Sequence, residues 1–152
     1  LAIGECGLDK VCATDFAFQQ KAFAAQIEWA NHIKKPLIIH CVRAYAEVQQ
    51  LLQQQQNTVP VIFHGFNKNE ILAKQLINKG FYLSFGKVLQ QPAMHRVIQS
   101  LPADKIFLET DDATVEIETI YAWAAQALQI DILSLSLQIQ KNAATVFGAG
   151  WF

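Results

Sequence analysis

Apolar residues in this chain come in short continuous runs, separated by stretches long enough to hold a helix, and each run ends in a residue able to bind a metal or touch a substrate. Leu1-Ala2-Ile3-Gly4 leads into Glu5, Pro36-Leu37-Ile38-Ile39 into His40, and Pro60-Val61-Ile62-Phe63 into His64. Phe81-Tyr82-Leu83 leads into Ser84, and Lys105-Ile106-Phe107-Leu108 into Glu109-Thr110-Asp111. Runs of this kind predict strands buried on both faces, as in a parallel sheet covered by helices. Ligands collect at the carboxyl ends of such strands, where Glu5, His40, His64 and Asp111 all fall.

The intervening stretches predict helices. Thr14 or Asp15 can cap one whose Phe16, Phe23, Ile27 and Ala30 lie along one face, stopping before Pro36. Residues 44–56 favour helix, with the glutamines 53–56 a solvated face. Asn69 can cap a helix through Ile71, Leu72, Leu76 and Ile77 that ends at Gly80 in the left-handed conformation. Pro92 suits the first turn of a short helix ending before Pro102, and helices over 116–128 and 132–147 close the chain, with Gly148 after the second. Phe16, Phe23, Trp29, Phe63, Phe81, Phe85, Phe107, Trp123 and Phe147 fall on predicted buried faces, and are core residues instead of a base-stacking platform. Phe66, on the loop just past His64, is placed to pack on a substrate.

With 152 residues, 52% hydrophobic and 16% charged, the chain reads as one globular α/β domain. A net charge of −1 and a pI near 6.5 exclude a broad basic footprint, so a phosphorylated ligand would be held by a metal or by a few residues. Cys6, Cys12 and Cys41, without C-x-x-C spacing, and no signal peptide or bilayer-length apolar run, predict small, buried, reduced thiols in a cytoplasmic protein with no membrane partner.

Strand–helix alternation fits an open doubly wound sheet or a closed barrel. A doubly wound nucleotide-binding sheet should carry GxGxxG or GxxxxGK[ST], and neither occurs here. The candidate ligands instead end the first, second, third and fifth strands, and a barrel brings such widely spaced strand ends around one axis. About five units are too few to close one, and Leu1 lies inside a run that already reads as strand. The expectation is an incomplete barrel whose N-terminal units lie upstream.

Ile3-Gly4-Glu5-Cys6-Gly7-Leu8-Asp9, Leu37-Ile38-Ile39-His40-Cys41-Val42-Arg43, Phe63-His64-Gly65-Phe66 and Leu108-Glu109-Thr110-Asp111 resemble, in order and spacing, four successive motifs of the TatD family of metal-dependent hydrolases, within the amidohydrolase-like barrels. The resemblance implies a (β/α)8 barrel with one or two divalent metal ions that hydrolyses phosphodiester bonds, often in DNA. By position, Glu5 would bridge the metals, His40 and His64 would be imidazole ligands, and Asp111 both a ligand and the proton acceptor. Family members open with a strand ending in His-x-His, which this chain lacks together with about three strand–helix units.

The chemistry supports those roles: a bridging carboxylate holds cations where a shared water loses its proton near neutral pH and developing phosphoryl charge is neutralised. Oxygen and imidazole donors suit Zn, Mn, Fe, Co or Mg alike. Arg43 can clamp a phosphate or pair with a surface carboxylate; Lys10, as easily a solvated lysine, is a second candidate for touching substrate. Asp9 is placed to orient a neighbouring ligand or cap a turn, and Glu109 to support the site from behind Asp111. His32 and His95 read as surface residues. The expected function is a TatD-type deoxyribonuclease. Alternatives are another amidohydrolase-like enzyme cleaving an amide, lactone or phosphotriester, or a non-catalytic truncated paralogue.

Overall fold

The predicted strand–helix alternation runs the length of the chain in a computed structural model, which describes residues 1–151. The order is β1 (Ile3–Asp9), α1 (Phe16–Ile33), β2 (Leu37–Val42), α2 (Tyr45–Gln54), β3 (Val61–Phe63), α3 (Glu70–Asn78), β4 (Tyr82–Phe85), α4 (Pro92–Gln99), β5 (Ile106–Leu108), α5 (Ile117–Leu128) and α6 (Ile132–Phe147). The described residues group into two compact units, Leu1–His64 and the residues from Gly65 onward.

In the first unit β1 pairs with β2, and β2 with β3, all parallel. Of the two predicted caps for α1 it is Asp15 that acts, its carboxylate accepting the Phe18 N–H at 2.9 Å. Phe23, Ile27 and Ala30 form the buried stripe and Lys34 ends the helix in the left-handed conformation, ahead of Pro36. Trp29 corrects the core assignment. It is 56% exposed, because on a helix it points well away from the Phe23–Ile27–Ala30 stripe.

The first strand also departs from expectation. The apolar run predicts an end at Gly4, yet β1 continues past Glu5 to Asp9. Cys6 and Leu8, both buried, extend the inward alternation beyond the run. The register shifts between Ile3 and Cys6, and such an irregularity re-aims the side chain it contains, here Glu5. Gly7 stands opposite His40, and a Cβ there would lie 2.0 Å from the His40 carbonyl oxygen, so only glycine permits this approach.

In the second unit β4 and β5 are parallel neighbours. Asn69 caps α3 by accepting the Leu72 N–H at 3.0 Å, and Gly80 follows the helix with φ 87°. Ala73 and Leu76 face inward, whereas Ile71 is 71% exposed and lies outside the core face. Pro92 opens α4 as predicted. Ser84, the polar end of an apolar run, is buried inside β4. Residues 103–105 form a 3-10 turn, so β5 begins at Ile106, and buried Asn142 of α6 donates to the carbonyls of Ala103 and Ile106, which ties α6 to that junction. Among the described residues no single helix is long and apolar enough to cross a membrane.

Of the aromatic residues assigned to the core, Phe23, Phe63, Phe85 and Phe107 are buried, while Phe16, Phe81, Trp123 and Phe147 are half-buried. His32 is exposed and packs against Trp29. His95, expected at the surface, is half-buried, its Nε2 2.7 Å from the Leu89 carbonyl oxygen.

Candidate metal centre

β1, β2 and the residue after β3 bring Glu5, His40 and His64 together within the first unit. His40 Nδ1 lies 3.1 Å from His64 Nε2, and His64 Nε2 lies 3.2 Å from Glu5 Oε2. One ligand atom from each of the three falls within 4.8 Å of the others. The side chain of His64 is 9% exposed while those of His40 and Glu5 are 42% and 50% exposed, so the cluster is anchored on its His64 side and open on the other.

Asp9, the last residue of β1, faces the far nitrogen of His40, its Oδ2 3.3 Å from Nε2. Its Oδ1 accepts the N–H groups of Val11 at 2.6 Å and Cys12 at 3.2 Å. Asp9 thus does both things weighed for it, capping a turn and holding an imidazole. Its carboxyl is held below the ordinary value chiefly by the Val11 N–H, with His40 and the Cys12 N–H adding to the effect. A carboxylate at Nε2 favours the proton on that nitrogen, which leaves the Nδ1 lone pair directed at His64.

These donors fit a divalent cation. Two donor atoms about 2.1 Å from one cation lie about 3.0–3.4 Å apart as the angle between them goes from about 90° to about 109°. The observed 3.1 and 3.2 Å fall inside that interval. Imidazole and carboxylate donors without thiolate select Zn, Mn, Fe, Co or Mg alike. Cys6, beside Glu5, adds no thiolate: burial, and then the Glu5 carboxylate, push its thiol up to about 12. Cys6 is buried and Cys41 half-buried, whereas Cys12 is exposed, against the expectation of burial.

The remaining candidates are dispersed. Arg43 is exposed on the turn after β2, with φ 55°. Lys10 is committed elsewhere, its ammonium paired with Glu47 and lying 5.5 Å from the centre of the Phe16 ring. Glu47, unremarkable in the sequence, is held below its usual range by Lys10. In the second unit, Phe66 is fully buried and packs edge-on against Phe85, so it is core and offers no face to a substrate. Its backbone N–H donates to the Ser84 carbonyl, which turns the side chain inward from the loop. Glu109 Oε1 accepts the Gly65 N–H at 2.7 Å. Asp111 is exposed, has φ 49°, and lines a cleft of about 160 Å³ with Gly65, Gly86, Lys87 and Glu109.

One residue with a clear structural part was missed. Gln19 bonds both backbone groups of Asp9, and the signal was present in helix phase: Gln19 precedes Phe23 and Ile27 by one and two i,i+4 steps, which places a polar side chain on the buried stripe.

Glu5 and His40 on neighbouring parallel strands and His64 just past the third strand, with Asp9 on one imidazole, make a donor set that a divalent cation would fit. The profile of the family described as TatD related DNase matches residues 1–148, and the chain belongs to that family. It is 33% identical over 118 residues to the 3'-5' ssDNA/RNA exonuclease TatD of Cronobacter sakazakii, covering 73% of this chain and 44% of that protein. It is 31% identical over 116 residues to a metal-dependent hydrolase of Buchnera aphidicola, covering 73% of this chain and 44% of that protein. Among solved structures, a TatD homologue from Escherichia coli superposes with a TM-score of 0.88 at 22% identity, over 97% of this chain and 64% of that one. A TatD-family hydrolase from Entamoeba histolytica gives 0.82 at 17% identity, over 96% and 62%. The aligned part of the chain thus spans less than half the length of the Cronobacter and Buchnera relatives.

Proposed function

We propose that this chain supplies the Glu5, His40, His64 and Asp111 part of a metal-dependent phosphodiesterase, a TatD-type deoxyribonuclease acting in the cytoplasm, and that its strand–helix units belong to a (β/α)8 barrel. The observation that carries the reading is the cluster of Glu5 Oε2, His40 Nδ1 and His64 Nε2, backed by Asp9. The exonuclease name of the Cronobacter relative supports nucleic acid as the substrate class. One or two divalent ions held by these residues would supply Lewis acidity, making a water more acidic and neutralising charge that develops on the phosphoryl oxygens.

The chain's own residues do the rest. Asp9 keeps the His40 proton on Nε2 and the ring in place. Asp111, exposed and opening onto its cleft, takes the proton of the attacking water, and Glu109 steadies the Gly65 backbone. Arg43 offers a bidentate contact to a phosphate.

The test is hydrolysis of an end-labelled single-stranded DNA oligonucleotide by the full chain with Mg²⁺, Mn²⁺ or Zn²⁺, and with a chelator. Shortened products that appear only with metal are expected. Turnover of an amide or lactone with intact DNA would move the protein to the wider amidohydrolase-like class, and metal binding without turnover of any of these would make it a non-catalytic paralogue.

A further inference from the structure

We infer that Gln19 is a positioning residue for the ligand His40, acting through Asp9. The Gln19 side-chain amide is bonded on both sides to the Asp9 backbone: its Oε1 accepts the Asp9 N–H at 2.8 Å, and its Nε2 donates to the Asp9 carbonyl at 3.0 Å. Nε2 also donates to the Thr14 carbonyl at 2.8 Å and approaches Cys12 Sγ at 3.2 Å. This one amide therefore fixes where β1 ends and how residues 9–14 turn. Within that turn the N–H groups of Val11 and Cys12 hold Asp9 Oδ1, leaving Oδ2 to face His40 Nε2 at 3.3 Å.

The support behind Gln19 is rigid. It sits in the first turn of α1, where its N–H donates to the carbonyl of the capping residue Asp15, and it is in phase with Phe23 and Ile27, both fully buried. The other side chain on the Asp9 backbone is Cys12, whose thiol donates to the Asp9 carbonyl at a longer 3.4 Å and leaves the Asp9 N–H to Gln19. Loss of the amide releases the turn, and with it the carboxylate that selects the Nδ1 lone pair of His40 for a cation. The dependence of cation affinity on Gln19 rests on the metal site proposed above; the dependence of the His40 tautomer on Gln19 does not.

Two readouts on the full chain test it: Mn²⁺ affinity by calorimetry, and the ring ¹⁵N shifts of His40 in metal-free protein. Gln19→Leu keeps the volume and removes every bond; Gln19→Glu keeps the acceptor and removes the donors, and carries the test where the leucine variant does not fold. Expected are affinity lower by on the order of tenfold, the range for an outer-shell partner, and averaged His40 nitrogen shifts in place of one Nε2-protonated tautomer. In an Asp9→Ala background, Gln19→Leu should add no further loss. Wild-type affinity and distinct ring nitrogens in a folded Gln19 variant would overturn the inference, as would an undiminished Gln19 effect in Asp9→Ala. Wild-type protein that binds no Mn²⁺ would sink the metal proposal instead, and the His40 signature alone would then decide on Gln19.

Discussion

Asp111→Asn in the full-length protein is expected to lower phosphodiester hydrolysis by on the order of a hundredfold or more while leaving the metal at Glu5, His40 and His64 in place. An amide is close to the carboxylate in size, so the turn at residues 110–113, closed by the Ala113 N–H on the Thr110 carbonyl, should survive. What the amide lacks is the ability to accept a proton and to offset cation charge. Asp111 is exposed and opens onto a cleft, which leaves it accessible to a water and a substrate. Metal content and hydrolysis rate measured side by side separate the roles. Undiminished activity would remove Asp111 from the mechanism, and activity falling only in step with lost metal would leave it a ligand with no part in proton transfer.

Gly7→Ala should cost about 3 kcal/mol or more of folding stability, combining overpacking with a backbone conformation that L side chains rarely adopt. Gly7 has φ +142°, and the added Cβ would sit 2.0 Å from the His40 carbonyl oxygen and 3.0 Å from its carbonyl carbon. These are backbone atoms in the β1–β2 pairing, so relief means separating the two strands that carry Glu5 and His40. Gly80→Ala is the control: φ there is +87° with nothing within 4 Å, so the conformational penalty stands alone at about 1–2 kcal/mol. Denaturant midpoints of the two variants give the comparison. A Gly7→Ala protein no less stable than Gly80→Ala would show that the strands tolerate the clash.

Features set by neighbouring residues were legible before the structure. Asp15 and Asn69 accept the N–H three residues on, and Pro92 occupies the first turn of α4, because capping and the proline ring act within one turn of helix. The third, fourth and fifth apolar runs form strands within a residue or two of their predicted bounds, since burial on both faces leaves a continuous signal.

Features set by direction were harder to read. Trp29 is expected on a buried helix face, and its phase, off the Phe23–Ile27–Ala30 stripe, turns it outward. Phe66, whose loop position predicts a contact with substrate, is turned inward by the backbone bond to Ser84. β1 outran its apolar run because Cys6 and Leu8 continue the inward alternation through glycines that permit close strand approach. Glu5, His40 and His64 were visible as strand endings, but the pairing of Gly7 with His40 that sets their register depends on a partner more than thirty residues away. Asp9 was ambiguous because a carboxylate with two oxygens can cap a turn and hold an imidazole at once, and it does both.

Glu5, His40 and His64 are proposed to hold a divalent cation. Anomalous scattering from crystals of the full chain grown with Zn²⁺ tests it most directly. A peak is expected about 2.0–2.2 Å from a Glu5 carboxylate oxygen, His40 Nδ1 and His64 Nε2, with Asp9 still on His40 Nε2. A peak bound elsewhere, with His40 and His64 still hydrogen-bonded to each other across 3.1 Å, would contradict it.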